Sequence, residues 1–280
     1  MCLFFTSNIH SNNSPTISQK ILKKNGTNDR ITSSYEICDI FLLHNGKGSE
    51  TMLRVFEAFS GVGAQHMALR NIGKEFEIVA TSDIDENAIL AYYYVHCNFE
   101  KVNKDVNKKE IIDYLLLKGI STQKKLANKP SEDLEELYNA SIISKNLGDI
   151  TKIDINNIPD HDLFTYSFPC QDISSVGTRK GLDSGSGTRS SLLWECKRII
   201  ENKKPKYLLL ENVKNLTTGK HKENFLAWLD YLEKQGYDNS WDILDAKDYG
   251  IPQRRPRTIV VSKLEKSDTD LLKTNQMKTK

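Results

Sequence analysis

The sequence has few of the features that mark secreted, membrane or metal-binding proteins. Its five cysteines are scattered and form no CxxC pair, which argues against a disulfide framework or a zinc site and favours a reducing cytosol. No apolar run approaches the length of a membrane span, and the opening MCLFF is too short for a signal peptide. The net charge of +2 does not indicate a nucleic-acid partner by itself, although it leaves room for a local basic patch.

Composition divides the 280 residues into three parts. Residues 1–51 are rich in Asn, Ser, Thr and Lys without a regular period, so we expect a poorly ordered leader. Residues 52–265 carry the periodic apolar segments and are expected to form one domain, and residues 266–280 are expected to be a polar tail. The hydrophobic fraction of 38% is sufficient for a core in that domain.

Strands and helices alternate along the central part of the chain. A strand at 53–59, a glycine turn, a helix at 64–72, a strand at 76–81 and a helix at 85–97, with Asp85 as its N-cap, form a βαβ pattern. The same alternation resumes at 163–167 and ends in two strands at 241–246 and 258–262. These patterns predict an α/β fold, with a mostly parallel twisted sheet, helices on both faces and an antiparallel edge strand.

One segment interrupts this alternation. Residues 100–147 are rich in lysine and glutamate, and helical periods occur at 110–118, with Gly119 as its C-terminal cap, and at 134–143. We interpret the segment as a helical insertion on the surface, with a solvated charged face as a better explanation than a DNA contact.

The first glycine turn favours a nucleoside cofactor. Gly61 and Gly63 permit a tight turn and close approach of a ligand, but the third glycine of the dinucleotide fingerprint is absent, which disfavours a diphosphate. Asp83 lies 20 residues beyond Gly63, where a carboxylate accepts ribose hydroxyls, so S-adenosylmethionine fits better than NAD. Asp149 is expected at the end of a third strand, facing an adenine amino group, although a turn aspartate explains it equally well.

Two other predicted strand ends carry reactive side chains. Pro169 ends the strand at 163–167 and presents Cys170, a potential nucleophile, although most free cysteines are simply small buried hydrophobes. Glu211 follows the buried strand KYLLL, where desolvation raises the pKa of a carboxyl and suits it to donate a proton to a ring nitrogen. The run QRRPR offers planar donors, although a basic run alone is more often a solvated face.

FSGVG, PCQ, ENV and QRRPR, in this order and around these strands, resemble the motifs of the C5-cytosine DNA methyltransferases. The resemblance covers residues 53–262, and Asp83, Gly148-Asp149 and Arg189-Ser190 fall where lesser motifs of that family lie. It implies a Rossmann-like methyltransferase fold, S-adenosyl-L-methionine as cofactor, double-stranded DNA as partner, no membrane, and a bacterial or phage-infected cytosol, in a restriction-modification or phage system.

The resemblance also assigns roles to individual residues. Cys170 attacks C6 of a flipped cytosine, Glu211 holds N3, and Arg255 and Arg257 lower the thiol pKa, with Arg257 contacting the cytosine O2. The implied cofactor-binding positions are Phe59, Ser60, Gly61, Gly63, Asp83, Ile84, Asp149, Ile150 and Pro169. The implied substrate-binding positions are Gln171, Ser174, Asn212, Val213 and Gln253. No metal is implied.

The sequence departs from that family after QRRPR. A target-recognition domain and further motifs follow in complete members, whereas eighteen residues follow Ser262 here. We therefore expect either a subunit of a split enzyme, completed by a second subunit, or a truncated product. Two alternatives are a half that is inactive without its partner and a tRNA cytosine-5 methyltransferase. A Rossmann-like domain with an incidental cysteine would have to contain four ordered motifs by chance.

Overall fold

The computed structural model describes residues 52–168 and 191–265, except residues 74, 99, 101 and 103–105. The predicted leader, the predicted polar tail and residues 169–190, which include Cys170, therefore lie outside the described residues. The six strands are β1 (Leu53–Ala58), β2 (Phe76–Ser82), β3 (Leu163–Tyr166), β4 (Tyr207–Val213), β5 (Tyr237–Asp245) and β6 (Pro256–Leu264). The helices of the described residues are α1 (Ala64–Asn71), α2 (Glu86–His96), α3 (Lys108–Leu117), α4 (Gln123–Ala127), α5 (Ser131–Ile143), α6 (Ser191–Lys203) and α7 (Lys222–Lys234).

The strands form one sheet in the order β2-β1-β3-β4-β6-β5. The first four are parallel, and β6 is antiparallel to both of its neighbours, so the predicted mixed α/β sheet is confirmed. The antiparallel strand lies one position inside the edge, which β5 forms. β5 begins at Tyr237, four residues before its predicted start, because an edge strand tolerates the polar stretch Asp238-Asn239-Ser240, of which Asp238 is exposed.

Alternating side chains bury both faces of the sheet. Phe56 and Phe164 point to the face covered by α6 and α7, where Ile199 and Trp228 pack against them in the largest hydrophobic cluster. Val55 points to the opposite face, where it shares a smaller cluster with residues that include Leu69 of α1. β1, β3 and β4 are therefore mostly buried on both faces, and the carboxyl ends of the strands remain as the place for a ligand.

The segment between α2 and β3 has a hydrophobic core of its own. Leu115 of α3, Leu126 of α4 and Leu134 of α5 are fully buried together, and Ile89 and Tyr93 of α2 complete the cluster. α4 was not predicted, since five residues are too few to show a helical period. The charged face expected from the sequence is thus the outer side of a packed three-helix unit.

The strand expected to precede Asp149 is absent. Residues 144–150 form an irregular segment beside β2, with an isolated bridge between Thr81 and Asn146. The amide of Leu147 donates to Thr81 O (2.8 Å), so the segment follows the sheet edge without continuing as a strand. Gly148, at φ +81°, turns it away.

None of the helices in the described part of the chain combines the length and apolarity that crossing a bilayer requires.

Candidate active site

The loop after β1 depends on two glycines for different reasons. Gly61 and Gly63 both have positive φ, at 54° and 75°. A Cβ built on Gly63 would collide with the rings of Tyr92 and His96, so the helix α2 leaves no room for a side chain there. A Cβ on Gly61 would meet nothing within 4 Å, so this side of the loop faces open space. The loop is thus packed on one side and accessible on the other.

Asp83 joins the end of β2 to this loop. Its Oδ2 accepts the amide of Gly61 at 2.8 Å, and its Oδ1 accepts the amide of Asp85 at 2.9 Å. Each carboxylate oxygen keeps a second lone pair for a ligand. Ile84, 53% exposed, offers an apolar surface beside it, and Asp85 caps α2 as predicted by accepting the amide of Ala88.

Asn146 connects Asp83 with the segment that carries Asp149. Its Nδ2 donates to the carbonyl of Asp83 (3.0 Å), and its Oδ1 accepts the amides of Asp83 (3.1 Å) and Gly148 (3.0 Å). Only 3% of Asn146 is exposed, so this amide side chain fixes the spacing of the two carboxylates. Asn146 was not predicted as a site residue, because it follows a charged insertion and its partner Asp83 lies 63 residues away.

Asp149 and Ile150, which follow Gly148, point in different directions. The Oδ1 of Asp149 accepts the amide (3.0 Å) and hydroxyl (2.8 Å) of Thr151, which holds the carboxylate in a turn. The side chain of Ile150 is buried in the main hydrophobic cluster, so it supports the pocket from behind. The part of the chain that the structure describes contains no cluster of His, Cys, Asp and Glu able to hold a metal ion.

Glu211 and Arg257 form a buried ion pair at the carboxyl end of β4. The Nε of Arg257 lies 2.9 Å from the Oε1 of Glu211, across the antiparallel pairing that sets Val213 opposite Arg257. Burial raises the pKa of Glu211, and the attraction of Arg257 and Arg255 opposes this rise. The carboxyl group therefore holds a proton more readily than an exposed glutamate does.

Asn212 connects this pair to the end of β3. Its Nδ2 donates to the carbonyl of Phe168 (2.8 Å), and its Oδ1 accepts the amide of Val213 (2.8 Å). Ser167 also donates to the carbonyl of Phe59, at 3.5 Å. These hydrogen bonds thus link the carboxyl ends of β1, β3 and β4, immediately before Pro169 and Cys170 in the sequence.

The QRRPR run is only partly turned towards the site. The amide of Arg255 donates to the Oδ1 of Asp245 (2.7 Å), and its buried Nε has no hydrogen-bond partner among the described residues. Gln253 is exposed. Pro169, Cys170, Gln171 and Ser174 lie outside the described residues, so their assignments stay predictions.

The carboxyl ends of the strands thus bring Asp83, the exposed Ile84 and Asp149 to the same edge of the sheet as the buried Glu211–Arg257 pair. Residues 53–119 and 115–280 match the profile of the C-5 cytosine-specific DNA methylase family. The chain belongs to this family.

This chain is similar in sequence or fold to several methyltransferases. Type II methyltransferase M2.ScrFI of Lactococcus lactis subsp. cremoris is 49% identical over 225 residues, which cover 78% of this chain and 62% of that protein. Orphan methyltransferase M.SssI of Spiroplasma monobiae is 43% identical, over 76% of this chain and 59% of that protein. The Dnmt2 methyltransferase of S. pombe has the same fold, with a TM-score of 0.50 and 21% identity over 78% of this chain and 51% of that chain.

The match leaves a large part of these relatives uncovered. This chain spans 62% of M2.ScrFI, 59% of M.SssI and 50% of Type II methyltransferase M.BsuFI of Bacillus subtilis. Sequence similarity therefore establishes the family, and the activity of the chain has to be argued from its site.

Proposed function

We propose that this chain transfers a methyl group from S-adenosyl-L-methionine to C5 of a cytosine in double-stranded DNA, with Cys170 as the nucleophile. The observation that carries the proposal is the Glu211–Arg257 pair (2.9 Å), held by Asn212 next to Phe168, the second residue before Cys170. The similarity to M2.ScrFI and M.SssI, both named methyltransferases, supports the reaction class.

The residues around the first glycine turn fit the cofactor. The open side of Gly61 leaves room for a ligand, Asp83 offers acceptors for two ribose hydroxyls, and the exposed Ile84 suits the face of a purine ring. Asp149 has a carboxylate oxygen for the exocyclic amino group. S-adenosyl-L-methionine would supply an electrophilic methyl group on a sulfonium, and Phe59, Ser60 and Gly63 would shape the loop against it.

The cytosine must leave the base stack before a thiol can reach it, at a cost of a few kcal/mol. The thiolate of Cys170 then forms a bond to C6, and the C5–C6 electron pair becomes available at C5. Protonated Glu211, whose pKa is raised by burial, donates to N3 and stabilises that charge. C5 would take the methyl group as the bond between the methyl carbon and the sulfonium sulfur breaks, with S-adenosylhomocysteine as the leaving group. The C5 proton would leave to solvent, N3 would return its proton to Glu211, and the C6–S bond would break to regenerate the thiolate.

Other side chains bind and orient the base. Arg257 holds the carboxyl group of Glu211 through Nε, its Nη1 donates to the carbonyl of Pro256 (3.0 Å), and its Nη2 group would donate to the cytosine O2. The buried Nε of Arg255 has no partner among the described residues and is suited to a phosphate or base oxygen. Gln171 and Ser174 would close over the base, and Val213 and Gln253 would line its entrance.

The proposal also includes a second subunit. The relatives extend well beyond the matched region, and the motifs expected after QRRPR are needed to read the sequence around the cytosine. We propose that a partner polypeptide supplies target recognition, and that both act in a bacterial or phage-infected cytosol, in a restriction-modification or phage system.

Transfer of labelled methyl to unmethylated duplex DNA tests the proposal, with the full chain compared with Cys170→Ser. We expect label on DNA with the unmodified chain and none with the variant, and tRNA as a parallel substrate should stay unlabelled. If neither protein transfers label, the assay is repeated with a polypeptide that carries the absent motifs. Transfer that survives in Cys170→Ser, or that goes to tRNA in preference to DNA, would overturn the proposal.

A further inference from the structure

The C-terminal end of α3 is anchored in the core of the helical insertion. Gly119 follows the last residues of α3 with φ +71°, and its amide donates to the carbonyl of Leu116 at 2.9 Å. The amide of Ile120 donates to the carbonyl of Leu115 at 2.9 Å. These two bonds form a Schellman motif, and Ile120 and Leu115 pack in the same buried cluster. The turn at Lys118 and Gly119 is therefore rigidly placed.

This turn contacts the backbone of Gly148 and Asp149 directly. The amide of Asp149 donates to the carbonyl of Lys118 at 2.7 Å. A Cβ on Gly148 would collide with that carbonyl, and a Cβ on Gly119 would lie 2.8 Å from the Cβ of Asp149. Glycine at both positions is what allows the two segments to pass so closely.

The contact also limits where the carboxylate of Asp149 can lie. Its Oδ1 is occupied by the amide and hydroxyl of Thr151, whereas its Oδ2 accepts no hydrogen bond from the part of the chain that the structure describes. A Cβ on Gly119 would lie 3.3 Å from this Oδ2, within the range in which a neighbour must give way. The oxygen available to a ligand is thus the one that Gly119 borders.

We propose that the Lys118–Gly119 turn of the helical insertion is a positioning element for the purine of the cofactor. It holds the backbone of Asp149 and leaves its Oδ2 where the exocyclic amino group of adenine can donate to it. The insertion thereby contributes to the choice of adenine over other purines without any of its side chains touching the base. The inference rests on the proposed function, because it takes an adenosine-containing ligand as the occupant of the pocket.

The first test compares Gly119→Ala with Gly73→Ala in the full chain. Gly73 has φ +70° and follows α1 as Gly119 follows α3, but a Cβ there would meet nothing within 4 Å. Both variants therefore carry the same backbone strain, and only Gly119→Ala disturbs Asp149. We expect calorimetry to give a dissociation constant for S-adenosylhomocysteine about tenfold higher in Gly119→Ala and unchanged in Gly73→Ala.

A second ligand separates positioning from general damage. S-inosylhomocysteine carries an oxygen in place of the adenine amino group, so an acceptor replaces the exocyclic donor that is proposed to bind Oδ2. We expect the unmodified chain to prefer S-adenosylhomocysteine and Gly119→Ala to lose most of that preference. A variant that weakens both ligands by the same factor, or that binds as Gly73→Ala does, overturns the inference.

Hydrogen exchange on the unmodified chain decides the matter if Gly119→Ala does not fold. S-adenosylhomocysteine should slow exchange in residues 115–121 and leave the residues around Gly73 unchanged, and the absence of this difference overturns the inference. A chain that does not bind S-adenosylhomocysteine at all would overturn the proposed function together with it. Binding with no difference between the two glycine variants would overturn the positioning role alone.

Discussion

Arg257 has two roles that can be separated by changing its length and its charge. It neutralises the buried Glu211, and in the proposed function its Nη2 group donates to the cytosine O2. The attraction of Arg257 lowers the pKa of Glu211 against the effect of burial, so removing it raises that pKa further.

We therefore predict that Arg257→Ala lowers kcat by about 10²–10³, as loss of one charge-stabilising donor does, and moves the alkaline limb of the kcat profile to higher pH. Arg257→Lys keeps the charge and is expected to keep the limb in place while losing the bidentate donor. Steady-state kinetics from pH 6 to 9.5 measure both effects. A limb that moves to lower pH in Arg257→Ala would contradict the assignment of Glu211 as the acid.

Glu57 is a second carboxyl group with a raised pKa, and it lies inside β1. It is fully buried, and burial raises its pKa to about 7, while the hydroxyl of Tyr92 donates to it at 2.6 Å and counteracts part of the rise. The folded chain binds this proton more tightly than the unfolded chain, so the associated stability is complete below about pH 4.5 and is lost as pH rises through about 7.

Glu57→Gln removes this titration and keeps an acceptor for Tyr92. We predict that the free energy of unfolding of the variant, relative to the unmodified chain, rises by about 1.4 kcal/mol between pH 6 and pH 8.5. Denaturant titrations at the two pH values measure it. Glu77→Gln is the control, because the pKa of exposed Glu77 is lowered by Lys145 and its charge does not change in this window. Equal curves for the two variants would refute the prediction.

The helices of the insertion form a packed hydrophobic core in addition to a charged surface. Leu115, on α3, is fully buried, whereas Leu117, two residues later, is 77% exposed. We predict that Leu115→Ala costs about 2–5 kcal/mol through a cavity, and that Leu117→Ala costs less than about 0.5 kcal/mol. Thermal unfolding followed by circular dichroism compares them. Similar losses in both would mean that the cluster around Leu115 is not a packed core.

At the scale of elements, the helices and strands with a regular apolar period could be predicted from the sequence, whereas the irregular segment at 144–150 could not. The βαβ pattern and the cap at Asp85 follow from local rules, and both are present. The prediction of a strand before Asp149 is wrong. The segment makes only an isolated bridge to β2, in which the amide of Leu147 donates to the carbonyl of Thr81. Local spacing cannot reveal Asn146, because two of its three hydrogen bonds go to the backbone of Asp83, 63 residues away.

At the scale of the whole molecule, charge and length bear on DNA binding. The net charge is +2, and the chain spans 62% of M2.ScrFI. We predict that the chain alone binds duplex DNA only in the non-specific range, with a dissociation constant of about 10⁻⁴–10⁻⁶ M, and that its affinity falls as salt rises from about 50 to 200 mM. Fluorescence anisotropy with several duplexes measures it. Sequence-selective nanomolar binding would place target recognition in this chain and remove the need for a partner.

The position of β6 in the sheet determines when the residues of the candidate site come together during synthesis. Residues from Phe59 to Asp149 contain the glycine turn, Asp83 and Asn146, whereas Arg257 is synthesised 108 residues after Asp149. Because β6 pairs between β4 and β5, the arginine reaches Glu211 only when the last strand is inserted. During synthesis, most of the residues proposed to bind the cofactor are therefore present well before the arginine that pairs with Glu211.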